Sequence, residues 1–257
     1  MGDNLRFSTL PELYTKAGHD VYLWSGSLFR NEGIKDLVWL SNPYILGVKY
    51  GPWNAGDPAP TARMSNQRLP SQRPLLHKNS IANIEIFHGF EATNLRPKIY
   101  YKPKKDPSLE NVVFVDLGSI TDADIFKLRA DQAQYHLSIL SEDIFAGKKF
   151  VEMKNEHIAE LRRHTTYPTG LEDTVSVSSI FHYCDLLNSC YGFVCLHSGS
   201  EHLAWAMQEH NPNLEIVCMI HPRAYDSHKR RSLFYCDTVN HLLLDPVEDY
   251  YQKEVNK

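Results

Sequence analysis

Ser198, Gly199, Ser200, Glu201 and His202 stand together in a stretch whose residue types and spacing suit the binding of an anion. The surrounding segment, residues 192–207, begins with an apolar run, Phe193 to Leu196, that reads as a buried strand. Small residues then make a turn, and a helix follows with Glu201 and His202 in its first turn. The opening N–H groups of a helix have no intrahelical acceptor and point outward. Strand, glycine turn and helix start therefore form a cradle fit for a diphosphate. His197 closes the strand, where α/β ligand sites form. Leu196 and Ser200 occupy the glycine positions of a nucleophile elbow around Ser198, and Gly192 and Gly199 do not complete a Gly-x-Gly-x-x-Gly pattern. The stretch points to phosphate binding.

The elements that must position this cradle alternate along the chain. Residues 10–17 read as a helix, with Ser8 as N-cap, Pro11 in the first turn and Gly18 as its end. Strands are expected at 20–24 and 44–48, with a short helix at 31–39 between them. Residues 51–80 lose apolar periodicity, carry Pro52, Pro58, Pro60, Pro70 and Pro74, and add Arg63, Arg68, Arg73 and Lys78. They are expected to form a mobile basic loop that reaches toward an anionic ligand. Order resumes at 79–89, a strand is expected at 98–101, and the basic, proline-bearing residues 102–107 read as an interdomain linker.

A second series opens with an unbroken apolar strand at 111–116, ended by Gly118 and Ser119. It continues with a strand at 150–153, helices at 157–163 and 178–189, strands at 215–220 and within 235–244, and a terminal helix at 245–255. Two such series predict two facing doubly wound parallel sheets, one domain at 1–107 and another at 108–257.

Composition narrows the partners. A chain of 257 residues with 42% apolar and 23% charged residues is an ordinary globular protein of one large or two modest domains. A net charge of -4 gives no case for general nucleic-acid binding. No segment approaches the ~18 apolar residues of a membrane span, and the N-terminus lacks a signal-peptide core. Arg6 stands where a myristoylation signal needs Ser or Thr. A cytoplasmic protein is expected, compatible with peripheral membrane contact. Cys184, Cys190, Cys195, Cys218 and Cys236 form no Cys-x-x-Cys pair, so reduced, buried thiols are expected rather than a zinc site or disulfides.

Two motifs resemble the heptosyltransferases of glycosyltransferase family 9, which have the two-domain GT-B fold. The first is Gly2-Asp3-Asn4-Leu5-Arg6-Phe7-Ser8-Thr9-Leu10-Pro11, similar to the family's Gly-Asp turn and following helix. The second is Ser198-Gly199-Ser200-Glu201-His202-Leu203-Ala204, similar to the donor-domain signature Asp-Ser/Thr-Gly-x-x-His-Leu-x-x-Ala. The resemblance implies a metal-independent transferase that moves a sugar from a nucleotide-diphosphate-sugar to a glycan or glycolipid acceptor, with no cofactor. Asp3 would be the general base, with Asn4 and Arg6 on the acceptor side. Gly118, Ser119, Lys127, His197, Ser198, Gly199, Ser200 and His202 would hold the donor, and His202 would also act on the leaving diphosphate.

This sequence departs from the family pattern at three places. His197 replaces the acidic residue associated with donor-sugar hydroxyls, so a different sugar is expected. Lys127 is the nearest cation to the phosphate-neutralising lysine expected after the first strand of the second domain. Only Met1 precedes the Gly-Asp turn, so an N-terminal domain without its first strand is expected here, with a reading frame that starts upstream. A nucleotide-sugar epimerase on the same fold and a catalytically silent nucleotide-sugar or glycan-binding module are the alternatives.

Overall fold

A computed structural model describes residues 1–27, 29, 32–51, 77–119, 130–155, 165–166, 169–220, 222, 225–226, 236 and 238–244. They divide into two compact units. The first holds Met1, residues 3–101 and Cys236, and the second holds Gly2, residues 102–226 and residues 238–244. The 52–76 part of the basic loop and the predicted helices at 157–163 and 245–255 lie outside the described residues.

In the first unit, helix α1 (Gly2–Arg6) leads into α2 (Leu10–Lys16). Thr9, not Ser8, occupies the N-cap of α2. The Ser8 hydroxyl instead accepts the Lys98 backbone N–H at 2.8 Å. Gly18, at φ 88°, takes the left-handed conformation that ends the helix at low cost. Strand β1 (Leu23–Trp24) pairs in parallel with β2 (Val48–Lys49), both shorter than the apolar pattern predicts. The expected helix at 31–39 is split. Helix α3 (Glu32–Lys35) runs into a π-turn, Asp36–Leu40, that buries Leu37, Val38 and Trp39 in succession. The Trp39 indole N–H then donates to Asn4 Oδ1 at 2.7 Å.

Helix α4 (Ser80–Phe87) starts at Asn79, whose Oδ1 accepts the Ile81 and Ala82 N–H groups at 2.9 and 3.2 Å. The segment 98–101, expected as a strand, is not assigned as one among the described residues. Ile99 is buried there, and the segment is anchored by side chains: Lys98 Nζ and Tyr100 OH reach Glu12 Oε2 at 2.6 and 3.1 Å.

The second unit is built on a parallel sheet of six strands: β3 (Val112–Asp116), β5 (Lys149–Lys154), β7 (Thr174–Ser176), β8 (Gly192–Leu196), β9 (Glu215–Ile220) and β10 (Asn240–Leu243). Across the sheet the order is β10-β9-β8-β3-β5-β7, every pair parallel. In order of appearance this is 6-5-4-1-2-3, the Rossmann arrangement, with its reversal between β3 and β8. Every residue of β3 and β8 is buried, as their unbroken apolar sequences require of strands covered on both faces. Gly118 and Ser119 do not merely end β3; they form β4 (Gly118–Ser119), antiparallel to β6 (Thr165–Thr166).

Among the described residues, helices α5 (Ala130–Glu142), α6 (Ile180–Ser189) and α7 (Gly199–Met207) accompany the sheet. Ser179 caps α6 by accepting the His182 N–H at 3.1 Å. Among the described residues, no helix is long and apolar enough to cross a membrane.

Two consequences are measurable. A Cβ on Gly192 would lie 2.4 Å from Phe145 Cε1, and Phe145 is itself fully buried against the rings of Phe150 and Tyr191. Gly192→Ala is expected to lower the unfolding free energy by ~1–3 kcal/mol through overpacking, read from urea titrations. In the first unit, burial alone would raise the Glu12 carboxyl from its ordinary 4.5, yet Lys16, Lys98 and Tyr100 bring it down to about 2. A carboxyl depressed in the folded state stabilises above its unfolded value, and that contribution disappears as pH falls toward its folded one. Between pH 4.5 and about 2 the Glu12→Gln variant should therefore lose less stability than the parent in acid-melting curves.

Candidate functional site

The reversal between β3 and β8 is where a sheet of this order leaves a crevice beyond its strand ends. Asp116 is the last residue of β3, and His197 and Ser198 follow β8 directly. Ser198 caps α7: its Oγ accepts the Ser200 N–H at 3.3 Å and lies 2.6 Å from Ser200 Oγ. The turn thus carries two hydroxyls beside the first N–H groups of a nine-residue helix.

Asp116, at the end of the neighbouring strand, is held by three donors. Its carboxylate accepts the Tyr183 hydroxyl at 2.7 Å, the Gly118 N–H at 2.9 Å and Asn155 Nδ2 at 3.3 Å. Tyr183 lies on α6. Burial, and then the Asp116 charge, push the Tyr183 phenol well above its usual range, so it stays a protonated donor. One buried phenol thereby ties the end of β3 to α6.

A second network lies under the same turn. Glu201 is fully buried; its Oε2 is 2.5 Å from His197 Nδ1 and its Oε1 is 3.2 Å from His241 Nε2 on β10. Burial would raise the Glu201 carboxyl, but His197, His241 and His202 outweigh it and hold it well below the ordinary carboxylate range. His202 is only 2% exposed, with Nδ1 3.3 Å from the Ser198 carbonyl and its ring beside Trp205. It therefore braces the turn from below. A ring nitrogen of His197, a Glu201 carboxylate oxygen and Cys218 Sγ all lie within 4.8 Å of one another, and all three residues are buried.

The structure brings together Gly118, His197, Ser198, Gly199, Ser200 and His202 of the predicted donor residues. Ser119 lies in β4, with its side chain outside the described residues, as are Lys127 and the side chain of Asp3 in α1. Asn4 and Arg6 are engaged in their own unit, Asn4 by the Trp39 indole and Arg6 by burial. Sequence reasoning missed Asp116, Tyr183, Cys218 and His241. A carboxylate closing an otherwise apolar strand was a readable signal for Asp116. Cys218 and His241 come close only through strand pairing, which no local spacing announces.

No protein-family model matches the chain, and no sequence among the curated proteins matches it. Solved structures do resemble it. The glycosyl transferase family 9 protein of Veillonella parvula DSM 2008 aligns with TM-score 0.53 at 11% identity, over 100% of this chain and 86% of that one. The iron-containing dodecameric glycosyltransferase TibC of enterotoxigenic E. coli H10407 aligns with TM-score 0.50 at 14% identity, over 85% of this chain. TibC described as an iron-containing heptosyltransferase in complex with ADP-D-beta-D-heptose aligns with TM-score 0.52 at 15% identity. This chain spans 55% of the length of TibC. The fold is thus the two-domain α/β GT-B architecture with parallel sheets, as the sequence predicts.

The expectation of metal-independent transfer with no metal cofactor is corrected. A buried imidazole, carboxylate and thiol stand within coordinating reach of one another, and the TibC structures of the same fold contain iron. All five cysteines are free and buried, as the cysteine pattern predicts, and Cys218 lies within reach of the imidazole and the carboxylate.

Tyr183→Phe deletes the shortest donor to a buried carboxylate, and is expected to cost ~1–3 kcal/mol in urea unfolding. In an Asp116→Asn background the same change should cost clearly less, because the two groups act as one unit. Equal costs in both backgrounds would show that the phenol stabilises by some other route.

Proposed function

We propose that this chain is a glycosyltransferase that takes a sugar from a nucleotide-diphosphate-sugar and passes it to a hydroxyl of a glycan or glycolipid. The observation that carries this reading is the Ser198-capped start of α7 at the sheet reversal, beside the Asp116–Tyr183 brace. It is supported by the fold shared with the family 9 protein and with TibC, one structure of which holds ADP-D-beta-D-heptose.

In this reading the donor diphosphate lies against the α7 N-terminus, taking hydrogen bonds from the Gly199 N–H and the Ser198 and Ser200 hydroxyls. As the acceptor oxygen bonds to the anomeric carbon, the bond from that carbon to the diphosphate breaks and negative charge grows on the leaving group. Fixed donors at the helix start stabilise that charge most where it is largest, in the transition state. The acceptor proton would pass to the Asp3 carboxylate. Residues 1–107 would form the acceptor domain and 108–257 the donor domain, with Gly118, Ser119 and Lys127 completing the phosphate contacts. His197 is committed to Glu201, so the donor sugar would be read by other groups. When bound, a metal would contribute positive charge beneath the phosphate turn.

Thermal-shift titration with ADP-, UDP- and GDP-sugars tests binding, and release of nucleoside diphosphate tests turnover. One nucleotide series should raise the melting temperature, and His202→Ala should weaken that shift by loosening the turn. Asp3→Asn should leave the shift intact while lowering turnover ~10²–10⁴-fold. Failure of every nucleotide to stabilise the protein would refute the reading. Binding without turnover in the parent would make the chain a nucleotide-sugar-binding module.

A further inference from the structure

We propose that His197, Glu201 and Cys218 hold a single divalent transition ion of the zinc or ferrous class, which fixes the phosphate turn in place rather than touching the donor. The three residues come from separate elements: the end of β8, the first turn of α7 and the body of β9. Their ligand atoms fall within 4.8 Å of one another, close enough to share one ion after small side-chain movements. The donor set decides the ion. A thiolate disfavours magnesium and calcium, which take hard oxygen ligands, whereas mixed imidazole, carboxylate and thiolate ligands suit zinc and ferrous iron.

The surroundings resemble a ligand shell more than a chance meeting. The carboxylate oxygen of Glu201 that does not face His197 is oriented by His241 Nε2 at 3.2 Å. Outer partners of this kind hold metal-ligating groups in position. Cys195 is the register partner of Cys218 across β8 and β9, so a second buried thiol stands beside the set. On binding, the dication takes the places of the Cys218 thiol proton and of the hydrogen-bonded contact between His197 and Glu201, and the displaced protons pass to solvent.

The position explains the role. His197 immediately precedes Ser198, and Glu201 follows it by three residues, so two of the three ligands bracket the turn that caps α7. An ion shared with Cys218 ties that turn to β9 without occupying the helix N-terminus. The proposal does not rest on sugar transfer, because it concerns the folding unit itself.

Metal content is measured by mass spectrometry on the full chain purified without chelator, which separates zinc from iron. Cobalt(II) is then titrated anaerobically into chelator-treated protein. The expected result is one equivalent of zinc or iron as purified, and saturation at one equivalent of cobalt with a thiolate-to-cobalt charge-transfer band. Cys218→Ser should abolish the band, while Cys184→Ser, a buried thiol on α6, should keep it. His241→Gln should weaken cobalt affinity ~10–100-fold and keep the band at saturation, a result available even if Cys218→Ser fails to fold. Folded parent protein without stoichiometric uptake or without the band would overturn the proposal, as would a Cys218→Ser variant that keeps the parental band. Nucleotide thermal shifts on the same preparations score the transferase reading separately, so either idea can fail alone.

Discussion

Burial of β3 and β8 on both faces is the constraint from which the site follows. A parallel sheet covered by helices has no solvent face, so its central strands carry apolar residues without interruption. Polar chemistry is then confined to the positions where those strands stop. Val112 to Val115 are succeeded by Asp116, and Phe193 to Leu196 by His197 and Ser198. These polar residues sit on neighbouring strands at the reversal of strand order, where the connections leave in opposite directions. Placement of the Ser198 turn is thus a result of how the core is packed.

Each buried carboxylate near these elements has been given partners, and the choice of partner shapes what it can do. Glu85 accepts the Thr93 and Asn94 N–H groups at 2.8 and 3.1 Å, which fixes a loop and is purely structural. Glu12 takes two lysines and a tyrosine, anchoring the chain at Lys98 to Tyr100. Asp116 takes a phenol, an amide and a backbone N–H, and through the phenol is tied to α6. An unpaired buried charge costs several kcal/mol, so each of these arrangements is held tightly by its own penalty for coming apart. Only Glu201 is surrounded by histidines, groups that can give up a proton or ligate an ion.

What could be read from the sequence follows the same physics. The strands at 111–116, 192–196 and 215–220 were legible because full burial writes an unbroken apolar run, and α7 because a small-residue turn precedes it. Helix α5 was not legible: Gln132 and His136 occupy buried positions beside Ala133, Leu137 and Leu140, and dilute the apolar period. The run at 98–101 looked like a strand, but its order comes from Glu12, 86 residues away in sequence from Lys98. Within the site, Ser198 to His202 were visible as a local motif. The metal-ligand set was not, because Cys218 meets His197 and Glu201 only when β9 pairs with β8.

Glu201 raises one electrostatic difficulty whose resolution connects the two networks. A carboxylate in the first turn of a helix interacts favourably with the helix dipole, and so competes for the same positive potential that would draw a diphosphate. Left bare and fully buried, it would repel an anion seated on the turn above, with little water to screen the repulsion. His197 and His241 offset that charge from either side, and a dication shared with Cys218 would reverse its sign. The turn can attract phosphate only if the group beneath it is neutralised. In the proposed reading the buried histidines and the ion would serve the anion cradle without touching the anion, and His197 would answer to Glu201 rather than to the sugar.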